Sequence, residues 1–371
     1  MGDNTYRAII RHAGASAVIE RRLPEIAPGD LLLAPEAVSL CGTDHQMLRG
    51  IRNDPSPVLG HEGACRIVAG ADSSGRFHLG QRVTVNPTNP QDPSFLLGHN
   101  IDGLFQQRVV IPRRAVEAGL VVPIDEGMSS SIATLIEPLA VVDYALACLR
   151  LADAETLVVL GDGLIGNLAA RRAADNDTWA KIIVAHATSA GYRWTDETWD
   201  DDLIHNCMEA KLEEHLDNNS SVGCLIATHR DRTPASVDRI HEAAGTRLRA
   251  VHVTGGVAPD AVANTLPGID LAGIRAANTG GPWPPRRTNT ESNGHTIAFT
   301  GNRGVMSQHL TRAAADLTSN PAQVSPLISH VVDMDSSVDI MNRMVARQSR
   351  HIDGETIMRL VIAMNPDLIT A

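Results

Sequence analysis

Cys41-Gly-Thr-Asp44, Gly60-His61-Glu62 and Glu137-Pro-Leu-Ala140 all stand upstream of one glycine-rich stretch, Gly161-Asp-Gly-Leu-Ile-Gly166. The first three bring together a thiolate, an imidazole and carboxylates. These are the donors that zinc takes at fixed distances, with a position left open for a substrate oxygen. The fourth is a turn whose glycines allow a tight bend and a close approach of pyrophosphate to a helix N-terminus. A metal beside a nicotinamide coenzyme is the apparatus for moving hydride to or from an alcohol carbon.

Cys41 follows an apolar run in a glycine-containing turn, so its sulfur can point inward. His61 and Glu62 are adjacent and therefore aim to opposite sides; one ligates while the other stands behind it or exchanges with it. Glu137, beside Pro138, is the candidate to complete the sphere. The Thr43 hydroxyl, two residues after Cys41, is placed to hydrogen-bond a substrate oxygen and pass its proton outward; the alternative is a threonine that only stabilises the turn. Asp44 either orients His61, since a metal-bound histidine needs a partner on its other nitrogen, or anchors the turn. His45 either extends a proton path or is a solvated neighbour.

The glycine-rich stretch follows an apolar run that reads as a strand and opens an alanine-rich segment that reads as a helix, the context that gives this motif its meaning. Coenzyme contacts are expected from Gly161, Gly163, Leu164, Ile165 and Gly166, with Thr228 after a later strand. Asp162 is awkward beside a phosphate and is expected to point away from it. The next strand ends in Ala185-His-Ala-Thr-Ser189. It lacks the carboxylate that binds a ribose 2′-hydroxyl in NAD sites, and His186 stands in the acid's place. Thr188, Ser189 or Arg193 is available to a 2′-phosphate. The expectation leans to NADP, with NAD open.

Short apolar runs (30–34, 81–85, 107–111) between Gly, Pro and Asp clusters predict strands and turns for the first 150 residues, as in a small twisted barrel. Residues 129–151 read as a helix that Pro138 would kink or break beside Glu137. From Glu155 onward, strands at 156–160, 181–185, 222–227 and 248–253 alternate with helices at 167–174, 212–216 and 235–244. That alternation implies a doubly wound parallel sheet. Residues 265–293, rich in Pro and Gly, read as a long loop or lid. Within it, Arg286-Arg287 is a solvated pair or a grip for an acidic substrate. The runs Asp175-Asn-Asp177 and Asp200-Asp-Asp202 read as solvated acidic faces.

Taken together, Cys-Gly-Thr-Asp, Gly-His-Glu, Gly80-Gln-Arg-Val83, Glu-Pro-Leu-Ala and Gly-x-Gly-x-x-Gly resemble the zinc-dependent medium-chain dehydrogenase/reductase family over nearly the whole chain. The resemblance implies an α/β protein: a GroES-like catalytic domain over 1–150, a Rossmann domain over 151–300 and a segment, 301–371, returning to the catalytic domain. It implies Cys41, His61 and Glu137 as zinc ligands, Glu62 as an exchangeable fourth ligand and Thr43 as the proton relay. Glutamate as the later ligand is similar to the polyol, sugar and threonine dehydrogenases. The chain departs from the family in three places. Cys65 replaces a usual glycine. Residues 86–103 contain no cysteine, so one zinc per chain is expected and no structural zinc. The acidic residue near His186 is missing.

Composition sets outer limits. The chain has 371 residues, 43% hydrophobic and 20% charged, with a net charge of −11, which is ordinary for two globular domains. No basic stripe suits nucleic acid, and no apolar run is long enough to span a bilayer. Met1-Gly-Asp-Asn-Thr-Tyr-Arg7 lacks the pattern of a signal peptide, and Tyr6 breaks the myristoylation motif. Five scattered cysteines argue against a disulfide framework and for a reducing cytoplasm. The expectation is a cytoplasmic, zinc- and NAD(P)-dependent oxidoreductase acting on a small polar alcohol or ketone of sugar, polyol or cyclitol type, as a homodimer or homotetramer joined through a sheet edge near 248–253. The rivals are a quinone-reductase-like enzyme with zinc structural or absent, a non-catalytic sensor or scaffold, and a redox-neutral lyase or epimerase that recycles its coenzyme.

Overall fold

The computed structural model describes residues 5–12, 14–70, 75–175 and 178–370. Met1-Gly2 and the Asn176-Asp177 part of one acidic run lie outside the described residues. The chain divides into two units: Met1–Pro138 with Met306–Ala371, and Leu139–Val305.

The first unit begins with a hairpin, β1 (Thr5–His12) and β2 (Ala15–Arg22), followed by β3 (Leu31–Ser39), which is buried along its whole length. Then come α1 (Gly42–Leu48), β4 (Gly63–Gly70), β5 (Arg82–Val85), β6 (Val109–Ile111), α2 (Arg113–Glu117), β7 (Val121–Pro123) and α3 (Ser130–Ala133). The next helix, α4 (Ile136–Arg150), carries the chain out of this unit. The predicted helix over 129–151 is therefore two helices, and the break falls at Thr134-Leu135, not at Pro138. Proline in the first turn of α4 removes an N–H that has no partner within the helix, so it neither kinks nor ends it.

The second unit alternates strand and helix: β8 (Thr156–Leu160), α5 (Leu164–Ala174), β9 (Lys181–His186), α6 (Ser189–Thr198), β10 (Ile204–Met208), α7 (Leu212–His215), β11 (Val222–Ile226), α8 (Thr233–Ala244), β12 (Leu248–Val253), α9 (Leu271–Ala277), β13 (Thr288–Ser292) and β14 (His295–Gly301). Its sheet runs β10-β9-β8-β11-β12-β14-β13. All neighbours are parallel except the last pair. The six parallel strands follow the doubly wound order, whose direction reverses between β8 and β11. The core is aliphatic, with Val158, Leu160, Ile183, Cys224, Ile226, Val251, Val253 and Phe299 all buried.

Two expectations are corrected here. Residues 265–293 are not a plain loop, for they hold α9 and β13. Asp270 caps α9 by accepting from Gly273 N at 2.8 Å, but Gly273 weakens the helical signal. β13 reads Thr-Asn-Thr-Glu-Ser and is held by backbone pairing to β14, without apolar alternation. Second, β12 lies between β11 and β14, so residues 248–253 form no edge; the edges are β10 and β13. Arg286 and Arg287 are exposed. Asp201, by contrast, pairs with Arg171 at 2.9 Å, so that acidic run is only partly solvated.

The chain returns to the first unit with α10 (Ser307–Ser319), β15 (His330–Asp333), α11 (Met334–Arg347), the short ribbon β16 (His351–Ile352) and β17 (Glu355–Thr356), and β18 (Leu360–Ala363). The unit's sheet runs β15-β18-β3-β4-β5-β7, with β6 also on β3. Its core joins Leu31, Leu33, Val38, Cys65, Val83, Phe95, Leu97 and Phe105 to Leu360 and Ile362. Cys65 is thus a wholly buried filler, its thiol pushed well up by burial and then by Glu36.

A bulge in β3 between Pro35 and Ala37 sets Glu36 in the interior, the re-aiming that bulges provide. Its carboxylate accepts from Arg82 Nη2 at 2.8 Å and Ser130 Oγ at 2.6 Å, and pairs with Arg66 Nε at 2.9 Å. Arg82, also fully buried, donates through Nη1 to the carbonyls of Asp125, Glu126 and Met128. Removing one partner of such a pair leaves the other charge uncompensated. Glu36→Gln is expected to destabilise the protein by about 3–5 kcal/mol, seen as a lower urea midpoint at unchanged slope. A loss under about 1 kcal/mol, the range of exposed pairs, would show that the network is not integral to the unit.

Candidate functional site

Cys41 ends the turn after β3 and is the N-cap of α1, with Asp44 three residues on. The Asp44 carboxylate accepts from Cys41 N at 3.0 Å and from Gly60 N at 3.3 Å. One buried side chain therefore fixes both the cysteine turn and the residue before His61. Asp44 Oδ1 also lies 3.5 Å from His61 Nδ1. Thr43 sits partly exposed in the first turn of α1, whereas His45 is buried, which removes the reading of it as a solvated neighbour.

His61 and Glu62 precede β4. Potential ligand atoms of Cys41, His61 and Glu62 all lie within 4.8 Å of one another, the one such group among the described residues. Although adjacent in sequence, His61 and Glu62 thus reach one centre. Glu137, at the start of α4, stands outside this trio and is linked to it electrostatically, through Glu62 and His61. Glu62 is held from behind: Arg359 Nη1 lies 2.6 Å from its Oε2, and Ser39 Oγ donates to the same oxygen at 3.2 Å. Arg359 is buried and also donates to Thr134 O at 2.5 Å.

The electrostatics suit a cation. Burial, and then Glu62, pushes the Cys41 thiol up. Burial, and then Glu62, also holds the Glu137 carboxyl well above the ordinary range. Burial opposes charge on His61, yet Asp44 and Cys41 keep its imidazole well above its usual value. His61 Nδ1 is buried with no hydrogen-bond partner closer than the 3.5 Å carboxylate. A thiol, an imidazole and carboxyls gathered out of water, with one arginine touching them, are what zinc stabilises by replacing protons. The donor set fits the metal.

Sequence reasoning missed several residues here. Arg359 is a lone charge in the apolar run Ile357-Met-Arg-Leu-Val-Ile362, which was the available signal, because a buried arginine needs an anion. Ser39 carried no signal. His99 comes from the cysteine-free segment 86–103; its ring lies 5.1 Å from that of His61, and its Nδ1 is 2.9 Å from Asp54 Oδ2. Burial would raise the Asp54 carboxyl, but His99 and Arg52 hold it at about 2.

In the second unit, Gly161 has φ +111°, and a Cβ there would meet Ala227 O at 2.6 Å. The turn thus lies against the end of β11, at the reversal of strand order where ligands bind in such sheets. A Cβ on Gly166 would stand 1.8 Å from Gly161 O, so helix and turn touch through bare backbone. Gly163 is the N-cap of α5, and Leu164 and Ile165 are partly exposed at its start. Asn167, which sequence reasoning passed over, donates to Asp162 O at 2.8 Å and Gly163 O at 3.2 Å while accepting from Thr195 and Trp199 of the α6 region. The glycine spacing and the bare-backbone contact fit a pyrophosphate cradle.

His186 ends β9 wholly buried. Its Nδ1 lies 3.2 Å from Asp162 Oδ2 and its Nε2 3.0 Å from Asn206 Oδ1. Both nitrogens are engaged, so His186 offers none to a ribose. Asp162 points to this corner, away from the helix start. Thr188 caps α6 by accepting from Gly191 N at 3.1 Å and is exposed, as are Ser189 and Arg193. Thr228 Oγ1 accepts from Ser236 Oγ at 3.1 Å.

Residues 27–123 match the alcohol dehydrogenase GroES-like domain. The chain is similar to zinc-type alcohol dehydrogenases of the medium-chain dehydrogenase/reductase family. An uncharacterized zinc-type alcohol dehydrogenase-like protein of Haemophilus influenzae is 26% identical over 289 residues, 73% of this chain and 74% of that protein. Sorbitol dehydrogenase of Bacillus subtilis is 29% identical over 184 residues, 44% of this chain and 51% of that protein. Thus the chain matches about half to three quarters of these relatives' length. Among solved structures, a zinc-binding dehydrogenase of Sinorhizobium meliloti 1021 bound to NADP has a TM-score of 0.70 at 18% identity, over 97% of this chain and 99% of that one. Galactitol-1-phosphate dehydrogenase of Escherichia coli has a TM-score of 0.71 at 18% identity, over 96% and 99%. The chain shares its fold with these two.

Because Gly166 packs on Gly161 O with no room for a methyl group, Gly166→Ala is expected to open the turn. It should weaken NADH and NADPH binding by more than about tenfold while leaving metal content unchanged. Wild-type affinity in a fluorescence titration would mean that this turn does not cradle the pyrophosphate.

Proposed function

We propose that this chain is a zinc- and NAD(P)-dependent oxidoreductase that moves hydride between the coenzyme and a small polar alcohol or ketone of sugar, polyol or cyclitol type. The observation that carries the reading is the convergence of Cys41, His61 and Glu62 within 4.8 Å in a chain similar to zinc-type alcohol dehydrogenases. The substrate class draws on relatives named sorbitol dehydrogenase, L-galactonate-5-dehydrogenase and L-threonine 3-dehydrogenase. Of the structural neighbours, one was solved with NADP and another with NADH, so either coenzyme is compatible with the fold.

When bound, zinc supplies Lewis acidity toward the substrate oxygen, and the nicotinamide supplies a hydride acceptor or donor. Cys41, His61 and Glu137 would hold the metal, with Glu62 as the exchangeable ligand. Arg359 and Ser39 hold Glu62 by its Oε2, and Glu137, buried nearby, feels the charge of Glu62. Asp44 orients His61. Thr43, partly exposed on α1, takes the alcohol proton and passes it outward; His45, two residues on, is buried in the same helix. In the second unit Gly161, Gly163, Leu164, Ile165, Gly166 and Thr228 form the coenzyme cradle, with Thr188 and Arg193 at its adenosine end. The same reading makes the chain a cytoplasmic homodimer or homotetramer joined through an exposed sheet edge.

The test is elemental analysis of protein purified without added zinc, alongside fluorescence titration with NADH and NADPH and turnover on a panel of polyols and sugars. About one zinc per chain is expected, lost in Cys41→Ala, with coenzyme binding and metal-dependent turnover. No zinc and no coenzyme binding would overturn the reading and favour a non-catalytic role. Coenzyme retained through purification, with substrate converted but no net change in absorbance at about 340 nm, the reduced nicotinamide band, would favour the redox-neutral alternative.

A further inference from the structure

We infer that Asp162, from the glycine-rich turn itself, is the carboxylate that reads the adenosine ribose, and that it makes the site prefer NAD(H) to NADP(H). This rests on the coenzyme-binding reading above.

In sheets of this order, an acid at the tip of the second strand accepts from the ribose 2′-hydroxyl. Here the second strand is β9, and Ala187, Thr188 and Ser189 beyond it bring no carboxylate. The structure puts one there from the neighbouring strand. β8 and β9 pair in parallel with Leu160 opposite Ala185, so the residues just past each strand stand side by side. Asp162 Oδ2 reaches His186 Nδ1 at 3.2 Å. It lies so near the first turn of α6 that a Cβ on Gly191 would be 1.7 Å from it. The carboxylate thus spans the gap between the phosphate turn and α6.

It is also held there. His186, fully buried, is braced by Asn206 Oδ1 at 3.0 Å, and Asn206 Nδ2 donates to Asp196 Oδ1 at 3.3 Å. On the main-chain side, Asn167 Nδ2 fixes Asp162 O at 2.8 Å. His186 has no exposed surface, whereas the Asp162 side chain keeps 16%. The histidine is therefore a positioning residue, and the carboxylate is the group a ligand meets. A fixed, partly desolvated carboxylate accepts well from a hydroxyl and repels a phosphate dianion at the same place. Arg193, exposed on α6, is the cation that would oppose this preference.

The test compares dissociation constants of NADH and NADPH, and of AMP and adenosine 2′,5′-bisphosphate, for the wild type and for Asp162→Asn and Asp162→Ser. Zinc content and circular dichroism serve as controls for folding. The wild type is expected to bind NADH at least about tenfold tighter than NADPH, and both variants to shift that ratio toward NADPH by about tenfold or more. The AMP to bisphosphate ratio should move in parallel. NADPH equal to or tighter than NADH in the wild type, or a ratio unmoved by both variants, would overturn the inference and leave coenzyme binding intact. Failure of folded, zinc-loaded wild type to bind either coenzyme would overturn the coenzyme reading itself.

Discussion

Carboxyls, a thiol and an imidazole cannot be gathered out of water without positive charge among them. The first unit meets this constraint twice. Glu36 is neutralised by Arg82 and Arg66 on the neighbouring strands. Glu62 is neutralised by Arg359, which stands just before β18 in the returning segment. The first cluster is closed by arginines and serves the architecture. The second has more acidic groups than its single arginine can satisfy, and that residual demand is why its donor set fits a metal. The two sets differ in chemistry as well: an all-oxygen cage around guanidinium in one, sulfur and nitrogen donors in the other.

The same logic of fixed partners runs through the second unit. Its turn is positioned by contacts in which side chains are missing at Gly161 and Gly166, and by one side chain, Asn167, that ties the turn to the α6 region. Leaving out a methyl group at two positions and adding one amide at a third gives a backbone cradle little freedom to rearrange. Pre-positioned donors of this kind bind an anion without the cost of ordering a loop.

Much of this was legible in the sequence because it rests on short-range rules. The strands 156–160 and 248–253 were bounded to the residue, since buried parallel strands are continuous apolar runs. The metal-ligating residue types and the glycine turn were visible as local motifs. What escaped depended on partners distant in sequence. β10 carries His205 and Asn206 and shows no apolar run, so only its pairing with β9 makes it a strand. β13 is polar throughout and exists through β14. Pro138 has the signature of a helix breaker because sequence alone does not say which turn of the helix it occupies. The apparent absence of a carboxylate at the tip of β9 came from scanning along one strand, whereas proximity in a parallel sheet is set across strands.

The first unit is built from two stretches of chain separated by the whole of the second. β18 lies between β15 and β3, and with its flanking Arg359 it completes both the sheet and the charge balance at Glu62. During synthesis, the Leu139–Val305 unit has all its strands once β14 has emerged. The amino-terminal unit, though made first, must wait for β18 before residues 37–39 of β3 gain their second neighbour, whereas β4 and β6 are already available to the rest of the strand. Domains usually form in the order they are translated; here the order is inverted. Until β18 arrives, residues 37–39 of β3 present a short unpaired edge of the kind that invites association with other chains. The interval between the emergence of β3 and that of β18 is the period in which this short edge stands open to other chains.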